Sequence, residues 1–492
     1  MSVNFGSRLA GAALALSLAA CSVGPDYQRV AAIVPDKYKE AEGWKPAEPQ
    51  PAGSNEAWWS IYNDPALDQL ERQVVISNQT LKAADAAYRN AQALVGEARA
   101  GYFPTLDLTG SATRNGGGGG SSTTSGIRVS GGHPFAQNSF DVSAQASWTL
   151  DIWGEVRRTV EANVANAQAS AASLAAVTLA TQATLASDYF ELRVADGLKQ
   201  LLDSTVDAFT RSLQIVQNRY NVGTAARTDV ASAQTQLENA RAQSIAVGVP
   251  RAQFEHAIAV LIGKAPGDFA IEPAPLELRV PVAPVDLPST LLERNPTIAQ
   301  SERSMAAANA QIGVAIAGYF PTVTLGASYG QNASFLNKLF TAGSSLWSFG
   351  LTDVTLPIFT GGLTSSRVAA ARATYDQTVA LYRQTVLTAF QQVEDELAAL
   401  RILAQQAEVQ ARAVAAAQEA ERLTLNQYRA GTVDYTSVIT AQANSLSNQQ
   451  TALSILQSRF VASVNLIEAL GGGWNAQQLP NRDQVETISS TR

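Results

Sequence analysis

The amino-acid sequence predicts a mainly α-helical protein that also carries membrane β-strands, built from two copies of one helix–strand–strand–long helix unit. Three observations predict this fold class. Short segments recur in the same order at a spacing of roughly 210 residues. Two very long segments contain no proline, and runs that alternate apolar and polar residues precede each of them.

The N-terminus has the pattern of a secretory signal peptide. Arg8 supplies a positive charge before the apolar run Leu9–Ala20, which at about a dozen residues is too short to cross the hydrocarbon core of a membrane. Leu18–Cys21 has the form of a lipobox, and Cys21 is the only cysteine of the chain. We predict lipid attachment at Cys21, with an uncleaved signal as the alternative. Ser22, rather than an aspartate, follows it, which under the sorting rule of bacterial lipoproteins favours the outer membrane.

Composition and motifs exclude several classes of function. The net charge of −7 and the lack of lysine or arginine clusters argue against a nucleic-acid partner. No segment has the motif of a phosphate loop, a nucleophile elbow or a dinucleotide site. His133 and His256 stand at no metal-ligand spacing, and the acidic run Glu394–Glu396 is typical of a solvated helix face. We therefore predict no catalytic residue, no metal site, no enzyme activity and no cofactor apart from the lipid.

The internal repeat rests on four matched pairs of segments. These are Ala100–Thr105 with Ala317–Thr322, Thr149–Trp153 with Thr355–Phe359, Tyr220–Thr224 with Tyr428–Thr432, and Ala233–Gln234 with Ala441–Gln442. Four ordered matches at a nearly constant offset indicate a duplicated unit. The predicted organisation is a signal peptide at 1–20, a lipidated N-terminal segment at 21–66, a first repeat at 67–265, a linker at 266–288, a second repeat at 289–470 and a C-terminal tail at 471–492.

Each repeat begins with a helix and continues with two strands. Leu67–Ala100 is rich in helix formers, and Pro104 ends the helix because proline has no backbone N–H to donate. Period-two alternation predicts strands near 102–113, 139–152, 320–331 and 346–358. The clearest run, from Phe140 to Leu150, has an aromatic residue near each end of its apolar face, which is typical of a membrane strand. Strands this short also occur in soluble sandwiches, so this pattern alone does not decide between them.

The long helices that follow the strands favour the membrane interpretation over a soluble sandwich. From Glu155 to Tyr220 there is no proline, and apolar residues follow heptad spacing. A helix of about 66 residues at about 1.5 Å per residue is about 100 Å long. Gly362–Arg429 predicts a second helix of similar length. The seams are rich in alanine, which indicates helices that contact neighbours on several sides, as in a cylinder.

The duplicated unit resembles the TolC-type outer-membrane factors, and the lipobox places the chain nearer the NodT/OprM-like lipoprotein branch. The resemblance covers essentially the whole mature chain. It rests on both Gly-Tyr-Phe-Pro segments, Cys21–Tyr27, Trp58–Trp59, Asn63–Pro65 and Glu468–Trp474.

The resemblance implies a homotrimer whose protomers each give four strands to one 12-stranded outer-membrane barrel, continued by a periplasmic α-helical barrel. The segments outside the repeats would form an equatorial belt. The implied partners are outer-membrane lipid, a periplasmic adaptor protein and an inner-membrane RND transporter. The implied function is a passive exit duct for drugs or other toxic small molecules.

The far ends of the long helices are the predicted working end. Gly223 and Gly431 stand where each helix reverses, since such a turn needs a residue that tolerates positive φ. The turn alone can account for the two glycines, whereas the exposed residues around them are candidates for binding the adaptor protein. The predicted docking residues of the periplasmic tip are Tyr220, Gly223, Thr224, Arg227, Tyr428, Gly431 and Thr432.

The predicted gate departs from the resembling lipoproteins. Their aperture is narrowed by a leucine and an aspartate after the second tip, and the matching positions here are Thr436 and Thr440. We therefore expect closure to rely on helix contacts and on polar pairs that involve Arg227, Asp229 or Asp434.

Two other functions remain open from the sequence. A type I protein secretion duct shares the architecture, although the lipobox disfavours it. A lipid-anchored periplasmic scaffold would need no membrane strands. The exported compound is not specified, although the lack of methionine or histidine clusters favours organic compounds over copper or silver.

Overall fold

A computed structural model describes residues 22–32, 34–35, 37–40, 57–117, 123–124, 127–128, 135–274, 280–281 and 288–488. The predicted signal peptide, Cys21 and His133 lie outside the described residues. In chain order the principal elements are α1 Pro65–Ser77, α2 Gln79–Ala100, β1 Thr105–Gly117, β2 Phe135–Thr149, α3 Glu155–Asn221, α4 Arg227–Ala246, α5 Gly248–Leu261, α6 Pro288–Arg294, α7 Pro296–Ala317, β3 Thr322–Ala333, β4 Ser345–Thr355, α8 Leu363–Ala430, α9 Tyr435–Ala469 and α10 Arg482–Ile488.

The four strands form one antiparallel sheet in the order β1-β2-β3-β4. Strands β2 and β3 come from different repeats and pair through Phe140 with Ala333 to Thr149 with Thr324. Strands β1 and β4 are the edges, and within the described chain each pairs on one side only. Leu108 on β1 and Trp347 on β4 are each 78% exposed, so an apolar face and two open edges remain uncovered by the chain itself.

The single helix predicted from Leu67 to Ala100 is wrong, because Asn78 divides it into α1 and α2. Asn78 has extended backbone angles, and its side-chain oxygen accepts a hydrogen bond from the Leu81 N–H at the start of α2. Asparagine is a favoured N-cap residue because it satisfies a backbone donor that the helix leaves unpaired.

The two long helices are confirmed. Helix α3 has 67 residues and α8 has 68, so each is about 100 Å long. An 18-residue window within α3 has a mean hydropathy of 1.3, which by length and composition suffices for a membrane span, and a third of that window is buried inside the chain. The helix continues far beyond such a span and packs against α2, α4, α5, α7 and α9.

An aromatic cluster joins the two repeats near the middle of the rods. Phe190 of α3 stacks on Phe460 of α9 at 4.6 Å between ring centroids, and Tyr62 lies 4.7 Å from Phe190. The Tyr62 hydroxyl donates to the Ser463 hydroxyl at 2.9 Å. Burial of such large rings is a principal source of stability, so the repeats form one folded body.

In each repeat an equivalent asparagine binds the end of the last long helix segment. The Asn78 amide donates to the Leu261 carbonyl at 2.7 Å, and Asn295 donates to the Ala469 carbonyl at 3.1 Å. Both asparagines cap the following helix at the same time. The last helix of each repeat is thereby held to the first.

The N-terminal segment is fastened along the outside of the helices. Arg158 of α3 donates to the carbonyls of Val23 and Gly24 and forms an ion pair with Asp26 at 2.8 Å. Further along, the N–H groups of residues 39 and 40 donate to the two carboxylate oxygens of Glu394.

The prediction that Glu394–Glu396 forms only a solvated face is therefore wrong. Glu394 holds the N-terminal segment, and Glu396 accepts a hydrogen bond from Asn465 of α9 at 3.1 Å. Burial raises the pKa of Glu396. The three consecutive carboxylates point in different directions on the helix, so each meets a different neighbour.

Candidate functional site

The candidate site consists of the two helix reversals, α3–α4 and α8–α9, which we call the tip. They lie at the ends of the long helices that are remote from the sheet. Gly223 and Gly431 have φ of 79° and 80°, a left-handed conformation that glycine adopts without steric strain. Their N–H groups donate to the carbonyls of Tyr220 and Tyr428, each at 2.9 Å. The two glycines therefore terminate their helices in the same way.

The two threonines of the tip have the same local role in both repeats. The Thr224 hydroxyl donates to the Arg219 carbonyl at 3.1 Å, and the Thr432 hydroxyl donates to the Gln427 carbonyl at 3.0 Å. The backbone N–H of each threonine donates to the same carbonyl, at 2.8 Å in Thr224 and 3.0 Å in Thr432, so each threonine binds the helix end twice. Both threonines are exposed, so they remain accessible to a partner while they stabilise the turn.

A small apolar core unites the two reversals. It contains Val216, Val230, Ala233, Tyr428, Tyr435 and Val438. The rings of Tyr428 and Tyr435 are 5.2 Å apart, and the Tyr435 hydroxyl lies 3.2 Å from that of Ser212. Tyr428 is only 3% exposed, so its assignment as an exposed docking residue is wrong. It is buried because α4 and α9 close over it, whereas Tyr220 in the other repeat is 39% exposed.

Arg219 links the reversals and was missed by the sequence reasoning. Its guanidinium lies 4.5 Å from the centroid of the Tyr428 ring, and it donates a hydrogen bond to the Tyr428 carbonyl. A cation over an aromatic face is attracted to it, more so where water is excluded. The only sequence signal was its place directly before Tyr220–Thr224, the first copy of the repeated tip segment.

Asp229 and Asp434 have local partners in the described chain. Asp434 accepts hydrogen bonds from the Ser437 N–H at 2.9 Å and from its hydroxyl at 2.7 Å, and these bonds hold the pKa of Asp434 below its usual value. Asp229 accepts from the Ala226 N–H at 3.3 Å. Both carboxylates therefore cap the starts of α4 and α9, where they also complement the helix dipole.

The remaining predicted gate residues are divided between two places. Thr436 and Thr440 line, together with Asp434, an open groove of about 580 Å³ between α8 and α9, whose other wall is Ala417 and Ala420. Arg227 lies on the other reversal, with its guanidinium 5.9 Å from the Tyr220 ring. The groove brings the second-repeat candidates together, and neither Asp229 nor Arg227 is among its lining residues.

The described residues contain no group of three or more histidine, cysteine or acidic side chains placed to hold a metal ion. The described surface of the tip has small side chains, one groove and a few fixed charges.

The comparisons with known proteins agree with this architecture. The model of the family described as outer membrane efflux protein matches residues 70–264 and 287–472. The chain is 31% identical to the toluene efflux pump outer membrane protein TtgC of Pseudomonas putida, over 98% of this chain and 99% of the relative. It is 29% identical to the probable outer membrane lipoprotein SilC of Salmonella typhimurium, over 93% and 96%.

Solved structures have the same fold. The outer-membrane channel OprN is 27% identical with a TM-score of 0.82, and CusC is 26% identical with a TM-score of 0.81. Each comparison covers 92% of this chain and 100% of the other. The chain therefore belongs to the outer membrane efflux protein family. It is a non-enzymatic outer-membrane component of an efflux system, as the sequence predicted.

Proposed function

We propose that three copies of the chain form one continuous conduit for small molecules across the outer membrane and periplasm. The observation that carries the proposal is the sheet with two open edges, β1 and β4, and an exposed apolar face. An open edge in lipid leaves backbone groups unpaired at a cost of several kcal/mol each, so membrane strands close into barrels. Pairing β4 of one copy with β1 of the next gives 12 strands in a trimer.

The long helices would continue the conduit into the periplasm. The tip would then meet a periplasmic adaptor protein, which connects the channel to an inner-membrane RND transporter. The groove beside Thr436 and Thr440 has small and polar walls, which allow the backbone of a partner helix to approach closely. Of the predicted docking residues, Tyr220, Gly223, Thr224, Arg227, Gly431 and Thr432 are exposed on this surface, whereas Tyr428 supports it from inside.

A lipid on Cys21 would anchor the N-terminus in the outer membrane. The hydrogen bonds and ion pair that Arg158, near the start of α3, makes with Val23, Gly24 and Asp26 support an anchor near this end of the rods. SilC, a relative, is named an outer membrane lipoprotein. The equatorial belt would be formed by the N-terminal segment, the linker near 266–288 and the tail after 470.

The cargo class is small organic compounds. Relatives are named as components of toluene, solvent and antibiotic efflux pumps. The groove at the tip is open and has small and polar walls, so we assign the choice of cargo to the transporter.

Conductance of the purified, acylated protein in planar bilayers tests the conduit, together with its mass in mild detergent. We expect a trimer that shows small, poorly selective openings. A monomer without current, although the protein is acylated and folded, would contradict the channel and favour a lipid-anchored scaffold.

The resting conductance of tip variants tests how the conduit closes. We expect Arg219→Ala to raise it, because the variant loses both the contact with the Tyr428 ring and the bond to the Tyr428 carbonyl. A cation–π contact and a charge-assisted bond are each worth about 1–2 kcal/mol. Arg422→Ala, which removes an exposed arginine of α8 paired only with Glu419, is the control.

Two variants of Asp434 test whether its charge closes the aperture or whether it only caps α9. Asp434→Asn keeps a side-chain acceptor for Ser437 but removes the charge, whereas Asp434→Ala removes both. If the charge closes the aperture, both variants raise the resting current. An increase in the alanine variant alone means that the cap is what matters, and unchanged current in both, and in Asp229→Ala, would exclude these carboxylates from closure.

A further inference from the structure

The segment that connects β3 to β4, residues 334–344, has apolar side chains that the described chain leaves exposed. It lies at the end of the sheet remote from the helices, because β3 follows α7 and β4 leads back to α8. Phe335, Leu336 and Phe340 are 59%, 65% and 78% exposed. A cluster of exposed apolar residues indicates a surface for a partner. We call this segment the outer loop.

The outer loop is ordered by its own hydrogen bonds. It contains two short 3-10 turns. The Lys338 N–H donates to the Phe335 carbonyl at 3.0 Å, and the Ser344 N–H donates to the Thr341 carbonyl at 3.0 Å. The Thr341 hydroxyl donates to the Lys338 carbonyl at 2.8 Å. The backbone of the loop therefore fixes the direction in which its apolar side chains point.

The outer loop is attached to the apolar face of the sheet. Tyr329 and Gln331 are two residues apart on β3 and share one face, and the Gln331 amide donates to the Tyr329 hydroxyl at 3.3 Å. Tyr329 stands opposite Trp347 of β4 in the register. The buried Ser344 hydroxyl lies 2.6 Å from Gln331 Oε1. The end of the loop is thereby fixed on the face that would meet lipid in the proposed barrel.

The apolar side chains of the loop continue the apolar band of this face. Trp347 and Phe349 of β4 are 78% and 77% exposed. Aromatic residues near the end of a membrane strand lie at the level of the lipid headgroups. The loop follows directly beyond this band, so Phe335 and Phe340 are placed at the outer headgroup level.

The loop also carries an isolated positive charge. Lys338 is the only charged residue between Arg303 and Asp353, so no carboxylate of this segment competes for its ammonium group. Lys338 is exposed, and its Nζ lies 5.6 Å from the centroid of the Phe335 ring. A lysine at a membrane surface attracts anionic headgroups. The loop therefore combines apolar residues that enter lipid with one cation for a lipid anion.

The first repeat does not have this sequence at the equivalent place. The connection between its two strands, residues 118–134, is rich in glycine and serine and has no phenylalanine, tryptophan or leucine. A turn between two strands therefore does not require the residues of the outer loop. Its apolar side chains and its lysine call for another explanation.

We propose that the outer loop binds the phosphorylated acyl glycolipid of the outer leaflet, of which lipid A is the simplest form. Phe335, Leu336 and Phe340 enter the boundary between headgroups and acyl chains, and Lys338 pairs with a phosphate. In a trimer the three loops would hold such lipid around the mouth of the barrel. The position of the loop beside lipid rests on the proposed barrel, whereas its affinity for lipid A can be measured without it.

Titration of the purified, acylated protein in mild detergent with lipid A tests the proposal. Cys21 is the only native cysteine and is blocked by its lipid, so an environment-sensitive dye on Asn337→Cys reports from the loop alone. Asn337 is exposed. We expect lipid A to shift the emission of the dye to shorter wavelength. Lipid A whose phosphates have been removed should bind about fivefold more weakly, which is the effect of one lysine at an anionic lipid surface.

Two variants separate the charge from the apolar contact. Lys338→Ala should weaken the binding of lipid A about fivefold and abolish the preference for the phosphorylated form. Phe335→Ser combined with Phe340→Ser should weaken the binding of both forms and keep the preference. Lys82→Ala, which removes an exposed lysine of α2, is the control and should bind both forms as the parent protein does.

An emission that does not respond to lipid A would overturn the proposal. If it is already at short wavelength in detergent alone, a neighbouring protomer or the barrel mouth covers the loop instead. Equal binding of the two forms of lipid A would overturn the pairing of Lys338 with phosphate. Specific binding by a protein that stays monomeric and never conducts supports the loop and refutes the barrel, and a conducting trimer whose dye ignores lipid A has the opposite meaning.

Discussion

Replacing Gly471 by alanine is expected to prevent the chain from reaching its folded state. Gly471 has φ of 93°, and an added Cβ would lie 1.9 Å from the Arg294 carbonyl oxygen. The positive φ alone costs about 1–2 kcal/mol for an L-residue. The overlap also pushes Arg294 away and so breaks the bond by which Asn295 holds the end of α9. The sum places the variant among the rare substitutions that cost more than about 4–5 kcal/mol.

Gly223→Ala is the matched control for this prediction. Gly223 has a φ of 79°, but nothing lies within 4 Å of an added Cβ, so only the backbone term of about 1–2 kcal/mol applies. The yield of acylated trimer in the outer-membrane fraction and its resistance to heat in detergent would measure the difference. Equal loss in the two variants would mean that the close approach to Arg294 has no special role.

Gly263 extends the comparison to the first repeat. Its φ is 70°, and an added Cβ would lie 2.4 Å from the Ser77 carbonyl oxygen. Ser77 precedes Asn78 as Arg294 precedes Asn295, so the duplicated fold uses a glycine and an asparagine in the same arrangement twice. Gly263→Ala should therefore resemble Gly471→Ala rather than Gly223→Ala.

The sequence was sufficient to predict the elements in which apolar residues recur at a regular spacing. Helices α3 and α8 and strand β2 each leave a regular pattern of apolar residues, and the duplication reinforces each pattern by showing it twice. Gly223 and Gly431 could be found for the same reason, because a helix reversal has strict local backbone requirements.

Contacts between distant segments leave no such period. Asn78 looked like an ordinary polar residue within a helix, since its partner at Leu261 is remote in sequence. Its repeat at Asn295, where an Asn-x-Thr segment again precedes a helix, was the available signal. The burial of Tyr428 and the role of Arg219 depend on how two reversals pack together, which neither local pattern describes.

Asp196→Ala is expected to destabilise the protein strongly. Asp196 accepts from Arg193 at 3.1 Å, from Arg251 at 2.7 Å and from the Ala274 N–H at 3.3 Å. The side chains of Arg193 and Arg251 are only 8% and 19% exposed. The variant leaves two guanidinium groups largely buried without their shared anion, and breaking a buried pair in this way costs about 3–5 kcal/mol.

Comparing the stability lost in Asp196→Ala with that lost in Asp203→Ala shows whether burial of the aspartate causes the effect. Both variants remove an aspartate of α3 that accepts hydrogen bonds from side chains, but the exposed site should lose only about 0–1 kcal/mol. The midpoint of denaturant unfolding of the detergent-solubilised protein measures each loss. A double variant, Asp196→Ala with Arg251→Met, should recover part of the stability because it also removes one of the two guanidinium groups that Asp196 balances. Equal small losses at both positions would mean that water reaches Asp196 and replaces its bonds to the two arginines.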